Sequence, residues 1–298
     1  MVNHTNPLCR NKIAVSGVIL LVVSLAACST SDAAPSAPTS APASETTTHK
    51  VVNAEHEVVF HVTDGKLPAL VLDAGGGLSS SYWKDLAPRL ARATGSKVIT
   101  YDRAGEGESD EVSGPWRVES AVSDLEAGLK ELGVTDDVVL VSHSIAGEVA
   151  TNFVTKNPGW VSGAILVDAN VPDFFTDEML TAFAPAVEEQ KAALLAQPST
   201  KKNRQLLSVM VDYAPVHRAY HRLAWPQDVP VTAIVASQTP FTDSPAAAQL
   251  WRDAQARFAQ AAPNRRHVVA ENASHEGIVT EQPDVVAGAV DEMLKTVR

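Results

Sequence analysis

From about residue 50 onward, short runs of β-branched and aliphatic residues alternate with longer stretches whose apolar positions recur at spacings of three and four. Few folds accommodate that rhythm, because strands that run parallel need long crossover connections, and helices supply them. The expected class is therefore α/β, a mostly parallel central sheet flanked by helices. In chain order, residues 51–62 read as an opening antiparallel pair closed at Asp64-Gly65. Strands follow at 69–73, 98–101, 138–142 and 164–167, with helices at 82–92, 118–132 and from 145 to about 156. After Asp168 the rhythm breaks into a long segment of helical composition and resumes with a strand at 231–236, a helix at 245–261, a last strand at 267–270 and a helix at 283–297. The break reads as an insertion between two strands of one sheet.

Composition narrows the partners. The chain has 298 residues, 45% hydrophobic and 20% charged, which is enough apolar material for one large globular unit. With 24 basic against 35 acidic residues its net charge is −11, which repels phosphate backbones and argues against nucleic acid as a partner. Its two cysteines, Cys9 and Cys28, precede the strand-helix pattern, so no disulfide framework is expected there. Arg10 and Lys12 lead an uncharged apolar run over 13–27 that ends in Leu25-Ala26-Ala27-Cys28. That ending resembles the lipobox of bacterial lipoproteins. The resemblance implies a signal peptide over 1–27, acylation of Cys28, and a protein exported and held at the cell membrane by its lipid, each buried acyl methylene contributing about 0.8 kcal/mol. A plain signal peptide or an uncleaved anchor is the alternative. The Ser/Thr/Ala/Pro-rich stretch that follows cannot build a core and reads as a tether over 28–49, leaving 50–298 as the folded domain.

The passage that carries chemistry is Val138-Val139-Leu140-Val141-Ser142-His143-Ser144-Ile145-Ala146-Gly147, an apolar strand, a tight turn and a helix. It reads as a nucleophile elbow with Ser144 at its apex, lifted clear of the sheet while the following helix turns its free N–H groups toward developing negative charge. Strand and helix pass so close that the flanking positions must be small; Ser142 and Ala146 stand where glycines are usual, with Gly147 next.

Taken with its neighbours along the chain, this passage resembles the α/β-hydrolase superfamily over nearly all of 50–298. Asp73-Ala74-Gly75-Gly76-Gly77 stands where such enzymes place an oxyanion loop, and Tyr101 to Ser109 resembles the loop after their fourth strand. Ala273-Ser274-His275 stands where they keep a histidine. The resemblance implies a serine hydrolase, a carboxylesterase acting on small or medium esters, with Ser144 as nucleophile and His275 as general base. Backbone N–H groups of Gly76 and Ile145 would form the oxyanion hole. For the third member of the triad the usual station after the seventh strand holds Thr239, with Asp243 four residues on; some relatives use a carboxylate ending the sixth strand, where this chain has Asp168. Asp168 is favoured and Asp243 is the alternative. A serine rather than an aspartate at the elbow argues against epoxide hydrolase or haloalkane dehalogenase chemistry.

The inserted segment, about 171–229, matches a helical cap whose Phe174, Phe175, Phe183, Tyr213, Tyr220 and Trp225 are candidates to line an acyl pocket, two or three of them facing substrate. No cofactor and no metal are expected: His217 and His221 have the i, i+4 spacing of a zinc pair but lack the adjoining glutamate of HExxH. His143 is expected to point away from the site, and Asp102 and Arg103 to pair with each other, the alternative being that they help shape the pocket. The competing class is a ligand-binding scaffold with little turnover, raised by Thr239 at the acid station and by the altered elbow glycines.

Overall fold

The structure, a computed structural model, describes residues 45–298. The expected signal peptide, the Cys28 acylation site and most of the expected tether lie outside the described residues.

Eight strands form one sheet in the order β1-β2-β4-β3-β5-β6-β7-β8. The first pair, β1 (Thr46–Asn53) and β2 (His56–Thr63), is antiparallel, as expected, and β1 begins ahead of residue 50. β2 also runs antiparallel to β4 (Ser96–Asp102), while β3 (Lys66–Asp73), β4, β5 (Val138–His143), β6 (Val161–Val167), β7 (Val231–Gln238) and β8 (Arg265–Ser274) are parallel. The reversal of winding, with β4 and β3 on one side and β5 onward on the other, places the C-terminal ends of β3 and β5 side by side. In doubly wound sheets that position is where ligand crevices open.

Both faces of the parallel strands are apolar because helices cover both. Ala69 and Val71 of β3 and Val138 and Leu140 of β5 contribute to the core on one face, and the intervening Leu70, Leu72, Val139 and Val141 to the core on the other. The helices are α1 (Leu86–Thr94), α2 (Val118–Glu131), α3 (Ala146–Lys156), α4 (Asp177–Leu195), α5 (Lys201–Val211), α6 (Tyr213–His221), α7 (Pro245–Gln260), α8 (Ile278–Glu281) and α9 (Pro283–Val297). α2, α3 and α7 pack on the first face; α1, α8 and α9 pack on the second. α4, α5 and α6 fill the break between β6 and β7, and Thr176 and Thr200 cap the first two of them by accepting from the N–H groups of Met179 and Asn203. Among the described residues no helix is long and apolar enough to cross a membrane.

Candidate active site

At the C-terminal end of β5 the chain reverses into α3 within two residues, and Ser144 takes φ +57° to do so. Such a φ is costly for a residue with a Cβ, and here the surroundings enforce it. The Ser144 carbonyl accepts the N–H of Gly147 at 3.0 Å and that of Asn170 at 2.8 Å, tying the elbow to the segment after β6. The same closeness explains why glycine stands at position 147. A Cβ there would lie 2.2 Å from the Asn170 carbonyl oxygen, so the demand for a small side chain falls on Gly147, while Ala146 is accommodated fully buried.

Three residues far apart in sequence meet at this rim. His275 directly follows β8, and its Nδ1–H donates to Asp168 Oδ2 at 2.6 Å, while its Nε2 accepts from the Ser144 hydroxyl at 3.0 Å. Asp168 is fully buried at the end of β6 with φ +42°, and its other oxygen, Oδ1, accepts the indole N–H of Trp251 at 2.9 Å and the Ala236 N–H at 3.2 Å. A carboxylate opposite Nδ1 assigns the ring proton to that nitrogen and leaves the Nε2 lone pair facing Ser144. Asp243 lies exposed before α7, outside this constellation, and Thr239 is buried with its hydroxyl accepting the Phe241 N–H.

Gly76 and Ile145 border the same cavity as Ser144, and among the described residues neither N–H is engaged by a backbone or side-chain acceptor. The loop that carries Gly76 is held from beneath by a buried ionic cluster. Arg103 donates to Asp73, to the carbonyls of Ala74 and Gly75, and to Glu106, while Glu106 accepts the Gly77 N–H at 2.8 Å and Asp73 accepts the Tyr101 hydroxyl at 2.7 Å. Burial pushes the Glu106 carboxyl up to about 7 against the pull of Arg103 and of the Gly77 N–H, and burial likewise raises Asp73. The expected pairing of Asp102 with Arg103 is not formed. Asp102 instead accepts the N–H groups of Ser80 and Glu108 at 2.7 Å each, so the two neighbours brace different loops.

The cavity above Ser144 opens to solvent. Its apolar wall includes Leu78, Ile145, Phe174, Phe175, Phe241 and Trp251. Of the six aromatics singled out in the inserted segment, Phe174, Phe175 and Tyr213 border the cavity, whereas Phe183, Tyr220 and Trp225 belong to the core. His217 also reaches the cavity. Its Nδ1–H donates to the Tyr213 carbonyl at 2.6 Å and its Nε2 lies 3.0 Å from buried Glu148, while His221 turns to the Pro172 carbonyl at 2.7 Å, so the two histidines serve different partners.

His143 departs from expectation. Strand alternation puts its side chain opposite Ser144, yet the loops after β3 and β8 fold over that side. The ring lies against those of Tyr82 and His275, with its Nε2 2.8 Å from the His275 carbonyl. Trp251 is invisible as a site residue in the linear pattern, where it reads as an ordinary helix position, whereas His143 stands beside Ser144 and is misdirected by the alternation rule. Arg103 and Glu106 carried a weak signal in their i, i+3 spacing, without any indication that Asp73 completes the cluster.

The sequence profile of the Alpha/beta hydrolase family matches residues 70–289. Among characterised relatives, the sn-1-specific diacylglycerol lipase of Mus musculus is 29% identical over 150 residues, covering 49% of this chain and 48% of the lipase. The chain thus spans about half the length of the relatives it matches. Among solved structures, a thermophilic esterase from Thermogutta terrifontis superposes with a TM-score of 0.59 at 22% identity, covering 84% of this chain and 99% of the esterase. A bromoperoxidase from Bacillus anthracis gives 0.60 at 19% identity, covering 84% and 100%. At these identities the likeness is one of fold.

Proposed function

Because the chain belongs to the alpha/beta hydrolase family, we propose that it is a serine hydrolase, a carboxylesterase cleaving small or medium esters through an acyl-enzyme on Ser144. One observation carries this reading above the rest: the continuous line from the Ser144 hydroxyl through His275 to Asp168, with contacts of 3.0 Å and 2.6 Å. In the first half-reaction Ser144 Oγ attacks the ester carbonyl carbon and its proton passes to His275 Nε2. The imidazolium so formed is stabilised by the Asp168 carboxylate. Negative charge on the former carbonyl oxygen is received by the N–H groups of Gly76 and Ile145, each contact of this kind worth about 3 kcal/mol. Collapse of the tetrahedral intermediate breaks the ester C–O bond, and His275 returns the proton to the departing alcohol. Water then attacks the acyl-enzyme with His275 again as base, releasing the acid and restoring Ser144.

The apolar wall supplied by Phe174, Phe175 and Phe241 suits an uncharged acyl or alcohol group of modest size and limits water at the reacting centre. Esterase and lipase names among the relatives support a hydrolase; the ester specificity proposed here rests on the pocket and the triad geometry. We extend the proposal to location: Leu25-Ala26-Ala27-Cys28 motivates export and lipid anchoring through Cys28.

A fluorophosphonate probe tests the chemistry directly. Covalent labelling of the folded protein is expected, and it is expected to vanish in Ser144→Ala. Folded, unlabelled wild-type protein would overturn the acyl-transfer reading in favour of a ligand-binding scaffold.

A further inference from the structure

His143 ends β5, one residue before Ser144, and is 1% exposed. Its ring is packed between two others, Tyr82 at 4.7 Å with planes 24° apart and His275 at 4.8 Å with planes 37° apart. One nitrogen, Nε2, lies 2.8 Å from the backbone carbonyl oxygen of His275, and the other, Nδ1, is buried with no hydrogen-bond partner. Gly75 presses against that second nitrogen so closely that a Cβ at position 75 would come within 2.7 Å of it.

These contacts decide where the proton sits. A carbonyl oxygen can only accept, so Nε2 must carry the hydrogen, and a second hydrogen on Nδ1 would be a buried donor with nothing to receive it. The titratable and charged neighbours point the same way: burial, the adjacent His275 and the Arg103 guanidinium all hold His143 well below the ordinary histidine range. The stacked Tyr82 is pushed up by burial and stays a neutral phenol. His143 is thus a neutral donor aimed at the backbone carbonyl of the residue whose ring bonds to Asp168.

We propose that His143 is a positioning residue for His275, its Nε2–H clamping the His275 carbonyl so that the imidazole stays in line between Asp168 and Ser144. The inference rests on the triad reading above and adds a fourth participant to it. Gly75 leaves room for the clamp by having no side chain. Neutrality is part of the role: when His275 takes the serine proton, a second cation 4.8 Å away would oppose it.

Two variants and one spectroscopic measurement test this. His143→Leu removes the donor while keeping apolar bulk, and His143→Gln restores an N–H at similar reach. The leucine variant is expected to lose about tenfold to a hundredfold in kcat on a p-nitrophenyl ester, the range for a misplaced catalytic group, with KM little changed and an unaltered melting curve. The glutamine variant is expected to recover most of that loss. Ring nitrogen-15 NMR of the wild-type protein is expected to find His143 with its proton on Nε2 and no titration between pH 5 and 8. A leucine variant as fast as wild type, a glutamine variant as impaired as the leucine one, or a proton on Nδ1 would each overturn the clamp. Should the leucine variant fail to fold, the tautomer measurement and the glutamine variant decide. Failure of wild-type protein to react with fluorophosphonate would instead sink the acyl-transfer reading, and the NMR result would still report the clamp by itself.

Discussion

Replacing Asp168 by asparagine exchanges one carboxylate oxygen for an NH₂ group, and the surroundings dictate which way the amide falls. Oδ1 of Asp168 accepts from Trp251 and Ala236, at 2.9 Å and 3.2 Å, in a fully buried site. An asparagine must keep its carbonyl oxygen there, because the reverse orientation would set an NH₂ group against two buried N–H donors at a cost of about 1–3 kcal/mol each. Its NH₂ then faces His275 Nδ1, which must become an acceptor, so the ring proton moves to Nε2 and confronts the Ser144 hydroxyl. The general base is lost although the geometry survives. In a Ser-His-Asp triad this inversion of tautomer costs about 10⁴ in kcat, or about 5 kcal/mol of transition-state stabilisation. KM should change little, since Asp168 does not border the substrate cavity. Steady-state hydrolysis of p-nitrophenyl esters, with melting curves recorded alongside, measures both effects. Asp243→Asn, altering an exposed carboxylate, should leave turnover intact. Asp168→Asn protein that melts normally and retains a tenth or more of wild-type kcat would refute the assignment, as would a collapse of activity in Asp243→Asn.

Other outcomes follow from the same contacts. Gly147→Ala places a Cβ 2.2 Å from the Asn170 carbonyl oxygen and 3.0 Å from Ala169 Cβ, so denaturant unfolding should register a loss of about 1–3 kcal/mol; unchanged stability would mean that α3 can shift away freely. Glu106 titrates at about 7 in the folded protein against an ordinary 4.5, so the folded state holds the extra proton between those values and its contribution to stability is lost as pH rises through that window. Relative to Glu106→Gln, wild-type stability should therefore decline from pH 4.5 to pH 7 by on the order of 3 kcal/mol, and parallel curves for the two proteins would contradict the burial argument. Cys28→Ser should move the protein from the membrane to the soluble fraction of fractionated cells, and persistent membrane retention would point to another anchor.

Most of the architecture was legible in the linear pattern because strands and helices are read from local periodicity. The succession of strands and helices along the chain, the inserted helices between β6 and β7 and the Ser144 turn follow from apolar spacing and from small residues where backbones must pass closely, whereas the station of His275 was implied by the family resemblance and the sheet order β1-β2-β4-β3-β5-β6-β7-β8 came only with the structure. Local pattern alone could not choose between Asp168 and Asp243. Each is an aspartate just past a strand, and the choice turns on side-by-side pairing of β6 with β7 and on Trp251 arriving from α7 to bind the carboxylate's free oxygen. Nor could alternation describe His143 correctly: it specifies which side of the sheet a residue leaves from, not which loops later fold across that side. Arg103 makes the same point, since its partner Asp73 lies on a neighbouring strand end that becomes adjacent only when β3 and β4 pair. Periodicity along one chain encodes what each segment can become, and side-chain partners are set only where distant segments are packed against one another.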